Sequence, residues 1–189
     1  MRWASRPKHG CKTSPDRRAC ARKHKGAPMF IAKTPADLLD LDTILSMSGL
    51  DFMLSMQRGE ISRPPISGLM NYHLHEVAAG RVTFRGTPAF EHANPMGGVH
   101  GGWYGTLLDS CMACAVMTLV PKGSVYTTLE YKVNLTRAIP IGVEILATGI
   151  SDHAGRSTGV AHGEIRGAAD GKLYATGSTT CLIMRPSQE

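Results

Sequence analysis

A chain of 189 residues with 42% hydrophobic and 19% charged residues has the size and balance of one ordinary globular domain with a sizeable core. No uninterrupted apolar run reaches the ~18–20 residues of a membrane span, and the stretch that comes closest contains Asp109, so no membrane partner is expected. The net charge of +6 is concentrated in residues 1–28, which hold nine Lys/Arg against Asp16 alone; the rest of the chain is near neutral and offers no basic face for nucleic acid.

Residues 1–28 form the first segment. They lack an apolar h-region and are not a secretory signal. Two readings stay open: a disordered tail or mis-assigned start ahead of Met29, or an Arg-rich, acid-poor address or binding tail. His9, Cys11, Cys20 and His24 match no familiar zinc spacing. Five cysteines without framework spacing fit a reducing, cytoplasmic setting better than an oxidised secreted scaffold.

Residues 29–66 read as a helical segment with a linker. Thr34-Pro35 followed by Asp37 supplies an N-cap, a proline at the first helical position and an early acid. Leu38, Leu39, Leu41, Ile44 and Leu45 then repeat at helical spacing. A second helix is expected from Leu50 to Gln57, stopped by Gly59, and Arg63-Pro64-Pro65 reads as the linker.

Residues 67–185 read as the main domain. Leu74, Val77, Val82 and Phe84 belong to two extended stretches turned at Ala79-Gly80. Asn94 to Gly102 is too rich in Gly and Pro for a strand or helix interior and reads as a tight loop, whereas Gly102 to Leu119 reads as a buried helix. Four β-rich stretches follow, Ser124–Leu135, Val143–Asp152, Ser157–Arg166 and Lys172–Met184. Short turns separate them, Asp170-Gly171 being a hairpin signal, so the sheet is antiparallel. The order β-β-α-β-β-β-β predicts an α+β domain in which the sheet wraps around one long helix.

The loop and helix also carry the chemistry. A glycine-rich loop feeding a helix leaves backbone N–H groups free at its start, where the helix dipole adds partial positive charge. Asp109 lies two turns further along a helix of otherwise uncharged residues, and a buried acid is costly to desolvate.

These residues resemble the hotdog-fold acyl-CoA thioesterases of the phenylacetate-degradation type. The match rests on Asn94…Gly97…His100-Gly101-Gly102, on Leu107-x-Asp109, on Thr127-Thr128-Leu129-Glu130, on Gly155-Arg156 and on Gly171-Lys172-Leu173-Tyr174-Ala175, and covers about residues 36–185. The resemblance implies hydrolysis of an acyl-CoA thioester in a pocket between two subunits. No metal or cofactor is implied, coenzyme A being part of the substrate.

A thioester carbonyl needs donors for the developing oxyanion and a nucleophile or activated water. N–H groups near Gly101 and Gly102 suit the first task. Asp109 suits the second, by direct attack or by deprotonating water. Eight residues at ~1.5 Å each separate Gly101 from Asp109 by ~12 Å, too far for one carbonyl to touch both. If both act on one substrate they belong to different copies of the helix, which predicts a homodimer with composite sites, alone or paired into a dimer of dimers. Gly102 and Gly105 lie on the Asp109 face of the helix and read as an open groove to the carboxylate, or as a close-packing device.

By resemblance, Asn94 presents an amide to substrate or water, its other reading being an Asx turn ahead of Pro95. His100 ligates the carbonyl or organises the loop, and Thr128 holds the water or the acid. Thr127 is the alternative under a one-residue slip, since neighbouring strand residues face opposite ways. Val99, Gly102, Thr127, Leu129, His153, Gly155, Arg156 and Ser157 complete the expected substrate and coenzyme A contacts, with Arg156 read either as a phosphate ligand or as a solvated turn charge. Cys111-x-x-Cys114 sits mid-helix and reads as core. His73 and His75 share a strand face without an evident third metal ligand. Two rival functions on the same fold are a hydratase or dehydratase, and a non-catalytic acyl-CoA-binding protein.

Overall fold

The computed structural model describes residues 30–186, so the expectations for the basic tail, including Cys11 and Cys20, fall outside the described residues. Six strands, β1 (Tyr72–Ala78), β2 (Arg81–Gly86), β3 (Val125–Leu135), β4 (Ile145–Ala154), β5 (Thr158–Gly167) and β6 (Leu173–Met184), form one sheet in the order β1-β2-β4-β5-β6-β3. Every pairing is antiparallel. The four later strands begin and end within two residues of the limits that turn signals set for them.

The long helix α4 (Gly101–Met117) packs against β2, β3, β4, β5 and β6. It starts one residue earlier and ends two residues sooner than its apolar run suggests, because His100 caps it and Thr118 folds back onto Ala115. The sheet comes this close to the helix because three glycines stand side by side on β4, β5 and β6: Gly149, Gly163 and Gly177. A Cβ on Gly149 would overlap the Cys111 carbonyl oxygen; one on Gly163 would lie 2.8 Å from Met112 Cγ. The row is a seat for the helix backbone, and any side chain there would lift α4 off the sheet. Around it Leu107, Leu108, Met112 and Val116 from the helix meet Val82, Ile145, Ala161 and Ile165 from the sheet, all buried.

The N-terminal segment is more broken than its leucine spacing predicts. Asp37 Oδ2 accepts from the backbone N–H of Lys33 and Thr34, which closes a short 3₁₀ turn over Pro35–Asp37. Leu38 is then extended, and Asp40 caps a separate five-residue helix, α1 (Leu41–Leu45), by accepting from Thr43 N. The second helix, α2 (Gly49–Arg58), ends as expected at Gly59, which takes φ +75°. Gly49 N donates to Val120 O at 2.9 Å, docking α2 on the end of α4. Arg63-Pro64-Pro65 is not a plain linker. Pro65 opens a short helix, α3 (Pro65–Leu69), and Arg63 forms a bridge with Ile31. Proline at a first helical position has the same local signature as proline in a linker.

Candidate active site

Local hydrogen bonds shape the loop before α4. Ala93 pairs with Val99, and Asn94 N donates to Gly98 O at 2.7 Å. Asn94 Oδ1 accepts from Met96 N at 2.9 Å and from Gly98 N at 3.2 Å, and Gly97 takes φ +80°. The Asx turn is therefore formed, and the side-chain amide N–H₂ of Asn94 is the part left for a ligand. Val99, expected among the substrate contacts, is buried in the core. His92, which the sequence did not single out, pins the loop from behind. Its Nδ1 accepts from Ala89 N at 2.9 Å, its Nε2 lies 2.8 Å from Leu69 O, and its carbonyl accepts from His100 N. With Nδ1 accepting, the ring proton is assigned to Nε2.

The helix start differs from expectation in one respect. His100 Nδ1 accepts from Gly102 N at 2.9 Å, so the Gly102 N–H is already taken by the cap. Trp103 N donates to His100 O, and Trp103 Nε1 donates to Met70 O at 2.9 Å, which ties the helix start to α3. The Gly101 N–H has no partner among the described residues, and Gly101 is exposed. Gly101 is the free donor at the positive end of α4.

Asp109 is half-buried, and Thr128 Oγ1 donates to its Oδ1 at 3.0 Å. Thr127 is exposed, so of the two neighbouring threonines it is Thr128 that meets Asp109. Beyond Thr128 the strand bulges: Thr128 opposes Cys181 and Glu130 opposes Thr180, leaving Leu129 as an extra, exposed residue. The bulge resets the alternation, so Tyr131 and Leu135 rejoin Thr128 on the helix side. A Cβ on Gly105 would lie 3.5 Å from the Tyr131 ring, and one on Gly101 would lie 3.5 Å from Leu135 Cδ1. The groove read from Gly102 and Gly105 is thus not open along its length: Tyr131 covers Gly105, and the His100 ring sits over Gly102. Helix and strand run antiparallel, with Gly101 at Leu135, Gly105 at Tyr131 and Asp109 at Thr128.

Burial pushes the Asp109 carboxyl above the usual aspartate range, and the Thr128 hydrogen bond works against that shift. Next to it, Ser110 Oγ and Tyr72 Oη share a hydrogen bond of 2.9 Å. Burial raises the Cys111 and Cys114 thiols, Cys114 to about 12, so both are protonated core groups. His153, Gly155, Arg156 and Ser157 lie at the β4–β5 hairpin, with His153, Arg156 and Ser157 exposed and the His153 ring folded over Gly155. Among the described residues no group of three His, Cys, Asp or Glu side chains is arranged to hold a metal ion, His73 and His75 included. No described helix is long and apolar enough to cross a membrane.

The family profile described as Thioesterase superfamily matches residues 96–174, a stretch that contains the helix cap, Asp109, Thr128 and the β4–β5 hairpin. A conserved protein from Pseudomonas aeruginosa is 30% identical, with 63% of this chain and 93% of that chain covered and a TM-score of 0.58. The chain belongs to the thioesterase superfamily. This thioesterase is also similar to a phenylacetic acid degradation-related protein from Ralstonia eutropha, at 28% identity over 69% of this chain and 98% of the other, with a TM-score of 0.64. Zebra fish thioesterase superfamily member 2 is 28% identical over 59% of this chain and 80% of the other, with a TM-score of 0.55. No curated protein matches the sequence. The fold is the hotdog fold, and the thioesterase is a thioester hydrolase.

Proposed function

We propose that this thioesterase hydrolyses an acyl-CoA thioester to the free acid and coenzyme A, in a homodimer whose two sites each draw on both subunits. The observation that carries the proposal is the antiparallel run of α4 along β3. Asp109 sits at the Thr128 level of the strand, whereas the free Gly101 N–H sits at the Leu135 level. β3 is an edge strand with Leu129, Tyr131 and Leu135 exposed, and a long apolar edge of this kind favours pairing with another chain. Two copies of β3 paired antiparallel about an axis near Tyr131 would bring Gly101 of the partner subunit to Asp109. The ~12 Å gap within one helix then becomes a short distance between helices.

In that arrangement the partner's Gly101 polarises the carbonyl and steadies the oxyanion. Ionised Asp109 either attacks the carbonyl carbon or takes a proton from the attacking water. In both routes the C–S bond breaks, coenzyme A leaves as a thiolate that is then protonated, and one water is consumed. Thr128 orients the carboxylate, and the Asn94 amide contacts substrate or water. His100 acts as the helix cap that organises the donor end. Exposed Arg156 and His153, with Gly155 and Ser157, face the phosphates of coenzyme A, while Thr127 and Leu129 flank the entrance. The reaction needs no cofactor.

The test is release of free thiol from acyl-CoA by the wild type and by Asp109→Asn. Release that depends on Asp109 supports the reading. Release that the variant retains, or hydration of an unsaturated acyl-CoA in its place, rejects it.

A further inference from the structure

We infer that a cavity of about 410 Å³ between the N-terminal helices and the sheet receives the acyl group of the substrate, and that this group is uncharged and apolar. The inference rests on the acyl-CoA hydrolase reading above and specifies its substrate class. The cavity lies within the ~300–1,000 Å³ range of small-molecule sites. Its outer wall is built by Leu39, Ile44, Phe52 and Met56, all upstream of residue 96, where the family match begins.

Its inner wall meets the catalytic helix and strand. Ser110 and Cys114 of α4 line it, and so does Tyr126 of β3, two residues before Thr128 on the same face. An acyl chain whose carbonyl lies at Asp109 would enter past Ser110 and Tyr126. The closeness has an electrostatic sign: burial raises the pKa of Tyr72 and Tyr126, the two tyrosines of the described wall, and the Asp109 charge adds to both shifts.

The lining also limits what fits. Ser110 and Tyr72 satisfy each other, so neither hydroxyl demands a partner from the ligand. Arg63 is the one charged residue of the described lining, and its Nη1 donates to Tyr72 O at 3.4 Å. Among the described residues no acid lines the cavity, and apart from Ser62, Ser67, Ser110 and Cys114 the remaining wall is aliphatic, aromatic or thioether. A charged acyl group would give up its hydration for this one arginine, whose Nε is buried without a partner, on a described wall with no other charge. An alkyl or aryl group would lose none.

The experiment uses the full chain and measures kcat/KM for acetyl-, hexanoyl-, octanoyl-, decanoyl- and adipoyl-CoA, with binding of S-octyl-CoA, a thioether that cannot be hydrolysed. The wild type is expected to favour octanoyl over acetyl by about 100-fold or more, the scale set by burying several CH₂ groups. Leu39→Trp, which fills the cavity, should lower that ratio about 10-fold or more and weaken S-octyl-CoA binding. Ile44→Ala, which enlarges it, should move the preference toward decanoyl, a gain that misfolding does not produce. A flat chain-length profile, ratios unmoved by both variants, or preference for adipoyl over hexanoyl overturns the inference. If no thioester is cleaved but S-octyl-CoA binds and Leu39→Trp weakens it, the hydrolase reading falls and the cavity assignment stands. If thioesters are cleaved but the ratios stay flat, the cavity assignment falls alone.

Discussion

Thr128 Oγ1 donates a hydrogen bond to Asp109 Oδ1 at 3.0 Å, joining the edge strand of the sheet to the middle of the central helix. The bond fixes the orientation of the one carboxylate on α4 and offsets part of the cost of burying it.

Asp109→Asn should lower kcat by at least about 100-fold while keeping the fold, because the amide can neither attack nor accept a proton. Thiol release under saturating substrate measures the loss, and circular dichroism checks the fold.

The same substitution should leave a stability signature with a defined pH dependence. The folded state holds the Asp109 proton more tightly than the unfolded chain does. Stability is therefore lost as pH rises from the ordinary aspartate value of about 3.9 through the raised folded value. The side-chain amide of the variant does not titrate in this range. The variant should be at least as stable as the wild type at pH 7, and the difference should shrink in acid. Denaturant melts of both proteins at several pH values test this.

Thr128→Val removes the donor that holds the Asp109 carboxylate. Hydrogen bonds to charged groups contribute about 1.5–3 kcal/mol, so kcat/KM should fall about 10- to 100-fold at neutral pH. Activity requires ionised Asp109 and is lost as pH falls through its raised pKa. Without the Thr128 bond that pKa rises further, so the acid limb of the pH profile should move to higher pH. Thr128→Ser keeps the hydroxyl and should restore both the rate and the limb. An unmoved limb would separate Thr128 from Asp109 function.

Gly149→Ala should destabilise the fold by about 1–3 kcal/mol, because the new methyl would meet the Cys111 carbonyl, which is helix backbone and cannot rotate away. The melting temperature relative to wild type measures the effect.

Much of this architecture was legible in the sequence because local signals coincide with it. Asp109 stands out as the one charge in an uncharged helix, and Asp170-Gly171 and Gly80 mark turns that the strands obey. What was hidden depends on register. Gly149, Gly163 and Gly177 recur every fourteen residues, but that spacing has meaning only once the three strands are known to be neighbours. Tyr131 covers Gly105 only because the bulge at Leu129 inverts the strand alternation, and nothing local announces a bulge. The His100 ring takes the Gly102 N–H through a side-chain rotamer that spacing alone does not encode. The N-terminal leucines look like one helix because Asp37, read as the early acid of that helix, closes only a 3₁₀ turn, and Asp40 caps a separate helix after it.

If each site takes its carboxylate from one subunit and its oxyanion donor from the other, two inactive variants should rescue each other when mixed. Asp109→Asn removes the acid. Gly101→Pro removes the free N–H, at a first helical position where proline fits and after a residue already extended at φ −63°, ψ 139°. Neither variant alone should hydrolyse acyl-CoA. After an equal mixture is unfolded and reassembled into verified dimers, random pairing makes about half of them mixed, each with one intact site, so activity should return to about 25% of wild type. No recovery from folded, mixed dimers would mean that the two subunits do not share the sites.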